Sequence, residues 1–112
     1  MTTWIYFGSG LWRSTVATIK NGRIWRGNAS NGIPVAIYEH GRIYEGGSSW
    51  NNLIGNVSGN RVYSGGGSWG VCYAMRDGNI LFQGGSRMNK IIGEISGDEK
   101  NAALAACVAL GL

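Results

Sequence analysis

Gly32-Ile33-Pro34-Val35-Ala36-Ile37-Tyr38-Glu39-His40-Gly41-Arg42-Ile43-Tyr44-Glu45-Gly46 is the stretch whose reading decides the fold. It holds two apolar runs separated by His40-Gly41. Two-residue hairpin turns want positive φ at their central positions, and glycine supplies it without steric cost. The stretch therefore predicts one β-hairpin, Val35 to Gly46.

The same phrase recurs along the chain. Gly8, Gly27, Gly46, Gly65 and Gly84 stand 19 residues apart. Two residues before them come Tyr6, Trp25, Tyr44, Tyr63 and Phe82, and one step earlier Ile5, Ile24, Ile43, Val62 and Leu81. Eight residues after each glycine come Val16, Val35, Ile54, Tyr73 and Ile92. The next column is small throughout: Ala17, Ala36, Gly55, Ala74 and Gly93. Two further on stand Ile19, Tyr38, Val57, Arg76 and Ile95. Columns in phase at a period near 20 residues mark a repeat architecture. Turn pairs Asn21-Gly22, His40-Gly41, Gly59-Asn60 and Gly78-Asn79 give four hairpins, near residues 16–27, 35–46, 54–65 and 73–84.

One strand is left over at each end, residues 4–8 and 91–95. Pairing them makes a fifth hairpin and removes the exposed edges of an open array. The alternative, an open solenoid, needs polar caps at both ends, and the sequence offers none. The predicted fold is mainly β, a pseudo-symmetric closed array of five two-stranded 19-residue hairpin units, the fifth formed by the N- and C-terminal strands, plus one buried C-terminal helix. It forms a single domain over 1–112, with repeats in 4–95 and the helix in 97–110.

Turn pairing also sets register: Lys20 faces Arg23, Ile19 faces Ile24 and Thr18 faces Trp25. One face then carries Ala17, Ile19 and Ile24, its small column suiting close approach near an axis. The other carries Val16, Thr18 and Trp25. The aromatic column needs a cover from the helix, a neighbouring hairpin or a second subunit. Twelve aromatic side chains, each burying roughly 150–250 Å², are expected to dominate the core. In the tail, Ser96 and Glu99 have capping-box spacing. The run Ala102 to Leu110 is apolar all round, so the helix is expected to be buried, across one opening of the ring or at a subunit contact.

Composition bounds the function. The charge of +4 comes from 10 basic and 6 acidic residues without a basic run. It argues against nucleic acid as a partner. The stretch Met1 to Gly10 lacks the charged-then-apolar pattern of a secretory signal, and Ala102 to Leu110 is too short to span a bilayer. A cytoplasmic location and no membrane partner follow as expectations. Cys72 and Cys107 lack zinc-type spacing and read as reduced, buried thiols.

The phrases Gly32-Ile33-Pro34-Val35-Ala36-Ile37-Tyr38 and Gly41-Arg42-Ile43-Tyr44 resemble the repeats of small bacterial proteins called four-fold β-flower proteins. The resemblance covers most of residues 4–95. It implies a fold and four petals, and brings no activity or site. A weaker likeness is to choline-binding cell-wall repeats, which are secreted open solenoids.

The loops after the first strands are the candidate site. Trp12, Trp50 and Trp69 share one column, where the other copies hold Asn31 and Met88. Trp50 and Trp69 follow glycine and serine, with Ser49 and Ser68 adjacent. Such loops suit stacking on a sugar or capture of a cation. The plainer and favoured reading is that the tryptophans roof the core between petals. Arg23, Arg42 and Arg61 share a column beside the turns and could hold a phosphate or carboxylate; the plainer reading is solvated strand ends, with Arg42 facing Glu39. Arg76 either snorkels outward or meets an acid. His40, the one histidine, stands in a turn, a weak place for a catalytic base. No catalytic, cofactor or metal motif is present. The expectation is a non-enzymatic structural or binding module, with a homo-oligomer and a glycan or small ligand as its open partner classes; the alternative is a carbohydrate-binding protein using its Trp loops.

Overall fold

A computed structural model describes residues 2–8, 13–65 and 72–112. Among these residues ten strands and one helix follow in order: β1 Thr2–Phe7, β2 Ser14–Lys20, β3 Arg23–Arg26, β4 Ala36–Glu39, β5 Arg42–Glu45, β6 Leu53–Ser58, β7 Arg61–Ser64, β8 Cys72–Asp77, β9 Ile80–Gln83, β10 Ile91–Ser96 and α1 Lys100–Leu110. The strands form one closed antiparallel barrel in which each pairs with its sequence neighbours, and β1 pairs with β10.

Turn chemistry acts as the sequence predicts at two turns, where Asn21 and Gly22 sit at φ 53° and 78° and His40 and Gly41 at 52° and 81°. At Gly59-Asn60 and Gly78-Asn79 only the glycine takes positive φ, 62° and 61°, as a turn that needs it at its first central position alone allows. Lys20 pairs with Arg23, Ile19 with Ile24 and Thr18 with Trp25. The ends meet: Trp4 pairs with Ser96, Ile5 with Ile95 and Tyr6 with Glu94. Ile95 therefore meets Ile5 across this seam as Ile19 meets Ile24 and Val57 meets Val62 across turn-joined hairpins.

The joins between hairpins repeat too. Ile5 pairs with Ala17, Ile24 with Ala36, Ile43 with Gly55, Val62 with Ala74 and Leu81 with Gly93. In four of these joins the register slips beside the inward aliphatic residue, between Ile5 and Tyr6, Ile43 and Tyr44, Val62 and Tyr63, and Ile91 and Gly93. A bulge adds bend and twist, which turns the strand ends out of the ring into loops.

The core lies inside the ring. Ile5, Ile19, Ile24, Ile43, Val62 and Leu81 are fully buried against Ala103, Leu104 and Cys107 of α1. The helix lies against β1 through β8, and Ala102 to Cys107 are buried without a break. Eleven residues make a helix about 16 Å long, which fits the 20 Å short dimension of a 39 × 33 × 20 Å molecule. The helix thus fills the barrel interior, rather than crossing an opening or joining subunits as the sequence suggests. An all-round apolar cylinder is shielded better by an enclosing sheet than by a single contact face. The small column lies where strands approach closely: a Cβ on Gly55 would come 2.6 Å from the Tyr63 carbonyl oxygen and 3.4 Å from Val108 Cγ1.

Two further expectations are corrected. The buried core is aliphatic, because the aromatic column points outward; Trp25 is covered there by its own loop, donating from Nε1 to the Gly32 carbonyl at 3.3 Å. The capping box does not form either. Ser96 is spent in β10 opposite Trp4, and α1 begins at Lys100, with Glu99 at its N-cap making no side-chain cap bond. The Glu99 carboxylate instead accepts from the N–H groups of Gly22 at 2.8 Å and Asn21 at 3.1 Å. Its own N–H donates to Thr3 Oγ1 at 3.1 Å. Two orphan donors at a hairpin turn outcompete the helix for this acceptor, so one residue ties the helix start to both β1 and the β2–β3 turn. At the other end Gly111, at φ 66°, closes the helix.

Candidate functional site

The loops between the first and second strands of successive units are petals, and two of them share one construction. In the first, Glu45 N–H donates to the Asn52 carbonyl at 2.9 Å. Asn51 Nδ2 donates to the Glu45 carbonyl at 2.8 Å, and Trp50 N–H to Ser48 Oγ at 3.1 Å. In the second, Gln83 N–H donates to the Lys90 carbonyl at 2.8 Å. Asn89 Nδ2 donates to the Gln83 carbonyl at 2.7 Å, and Met88 N–H to Ser86 Oγ at 3.0 Å. The repeat glycine is required twice over. Gly46 and Gly84 have φ of 74° and 67°, and a Cβ would meet the asparagine amide at 2.8 and 2.7 Å.

This frame holds its tip side chain in water. Trp50 is 95% exposed and Met88 94%. Trp50 does not roof the core; a bonded turn of Ser48 and Asn51 aims it outward. Ser49 beside it is exposed as well. Trp12, Trp69 and Ser68 lie outside the described residues. In the petal between β3 and β4, Ile33 is 84% exposed, and it lies with Pro34 beside Gly47 of the next petal.

The arginine column does not converge. Arg23, Arg42 and Arg61 are all exposed. Arg23 lines one outer cleft with Ile37 and Glu39, and Arg61 lines another with Met75, Asp77 and Arg87. In the second cleft Arg87 Nη1 bonds Asp77 Oδ2 at 2.9 Å. Arg42 is the register partner of Glu39, while the Glu39 carboxylate lies 3.9 Å from His40 Nε2. The His40 side chain is 89% exposed, in keeping with its turn position.

Arg76 is the residue the sequence left undecided. It belongs to the inward column and stands half-buried at the barrel mouth beside the start of α1. Its Nη1 donates to the Gly78 carbonyl at 3.4 Å, and its Nε is buried without a hydrogen-bond partner among the described residues. The sequence signal was there: a lone basic residue in a column of Ile, Tyr and Val.

The thiols differ. Cys107 is fully buried in α1, and loss of solvent pushes its pKa up to about 12. Cys72 is half-buried, and both are free. The expectation of two buried thiols holds fully for Cys107 only. Among the described residues no group of three or more His, Cys, Asp or Glu side chains converges as a metal site would require.

The fold is a closed ring of hairpins with projecting loops and a helix through its middle. The chain matches the 6-fold beta flower protein family over residues 3–108, and it belongs to that family. The four-fold resemblance therefore named a sibling family; short glycine-rich phrases encode the hairpin and not the number of petals. No curated protein and no solved structure matches the chain.

Proposed function

We propose that this protein is a non-enzymatic binding module that acts through its petal loops. One observation carries the reading: Trp50 stands 95% exposed on a loop held by its own hydrogen bonds. A large aromatic side chain kept in water contributes little to folding, whereas exposed aromatic groups are favoured anchors in recognition. The matching position of Met88 supports a display role for the tip rather than a packing role.

The ligand class to test first is carbohydrate, since a flat indole beside Ser49 and Asn51 offers a stacking face with polar neighbours. A glycan array with the purified protein, repeated with Trp50→Ala, decides it. Binding that falls at least tenfold in a variant with unchanged melting is the expected result. A blank array with wild-type protein removes the carbohydrate reading. Association of copies through the same tips is the competing use, and a clean monomer by light scattering at high concentration removes that one.

The ring itself we read as five pseudo-symmetric hairpin units, the fifth made by β1 and β10. The support is the repeated join of a large aliphatic residue to a small one, from Ile5–Ala17 to Leu81–Gly93.

A further inference from the structure

The barrel mouth beside the start of α1 holds chemistry that the petals do not use. The inward column nearest the turns is Ile19, Tyr38, Val57, Arg76 and Ile95. Only Tyr38 and Arg76 carry polar heads, and both line one cleft of about 290 Å³ with the first residues of the helix, Lys100 and Asn101 among them. The Nε of Arg76 is buried there without an acceptor among the described residues. Folded proteins leave few buried donors unpaired, so such a group calls for an explanation.

Two further features of the same cleft share that sign. The helix has no side-chain cap, because the Glu99 carboxylate is engaged by the Asn21 and Gly22 amides. Its first-turn N–H groups therefore keep their donor capacity, at the positive end of the helix dipole. Lys100 brings a second cation to the lining. Against these stand two carboxylates of the same lining, Asp98, which is exposed, and Glu99, which is held by the turn amides. The formal charges of the lining balance, and what the mouth holds in excess is hydrogen-bond donors: the Arg76 guanidinium and the first-turn N–H groups.

We propose that this mouth binds a small oxyanion, the phosphate or carboxylate group of a small molecule. The Arg76 guanidinium supplies a planar fork of donors matched to such a group, and the first turn of α1 supplies backbone N–H groups. Tyr38 walls the site, and Lys100 adds countercharge. The site is independent of the petals.

The test titrates inorganic phosphate and, separately, sodium acetate into ¹⁵N-labelled protein, at constant ionic strength. The amide signals of Asn101 and Ala102 and the Nε–H signal of Arg76 are followed. Saturable shifts at these signals are expected, and whichever ion binds more tightly identifies the headgroup. Arg76→Gln and Lys100→Gln should each weaken binding tenfold or more with unchanged spectral dispersion, whereas Arg61→Gln and Trp50→Ala should change it less than twofold. Should Arg76→Gln fail to fold, Lys100→Gln decides by the same criterion. No saturable shift with either ion, or binding in the variants equal to wild type, overturns the proposal.

Discussion

Gly55 shows how much one missing methyl can matter. Its absent Cβ would lie 2.6 Å from a backbone oxygen and 3.1 Å from Ile43 Cδ1, and a backbone atom cannot swing aside. Gly55→Ala should cost about 1–3 kcal/mol, the usual range for overpacking a core, read as a lower midpoint in urea. Cys107 carries a second prediction. Burial pushes its folded pKa up to about 12, above the ordinary thiol value of 9.0. The folded state thus holds its proton where the unfolded chain releases it. Stability from this group is unaffected below pH 9 and falls as pH rises from 9 toward 12, by up to about 1.4 kcal/mol per pH unit. Urea melts across that window test the sign. A thiol reagent at pH 8 should label Cys72 in the folded protein, and Cys107 only after denaturation. Trp50 behaves in the opposite way: Trp50→Ala should move stability by no more than about 0.5 kcal/mol, as for other surface changes, checked by thermal melting.

At the scale of elements, the closing seam and the helix start are one device. Glu99 joins the N-terminus of α1 to a turn 78 residues away in sequence and, through its own N–H, to Thr3 in β1. Thr3 is fully buried, so water cannot readily replace that bond. Glu99→Ala leaves two turn amides without their acceptor. It should cost about 1–3 kcal/mol, the range for bonds to a charged group. Hydrogen exchange at Asn21 and Gly22 should accelerate, while exchange in the β6–β7 hairpin stays slow. The petals are self-contained by contrast. Among the described residues Ser48 and Asn51 bond only within their own loop or to Glu45 at its base, so their tips can vary between Trp50 and Met88 without disturbing the ring.

For the whole molecule the helix is the core. The inner face of the ring would be open to water without it, since Ile24, Ile43 and Val62 bury against α1. Removal of residues 98–112 should leave a chain that aggregates or loses cooperative melting; a soluble truncated monomer with an unchanged transition would contradict this. The ring was legible in the amino-acid sequence because its causes are local. A 19-residue period, Asn-Gly and His-Gly turns and an alternating apolar pattern decide strand, turn and register within a few residues of one another. Closure was legible for a related reason, that two unpaired terminal strands of matching pattern remain. Only the tertiary structure decided which face the helix covers, where the Glu99 carboxylate goes, that Trp50 faces water and that Arg76 stands at a cleft. Each of these depends on which groups from distant units compete for the same space or the same donor, and that contest is settled only when the ring closes around its helix.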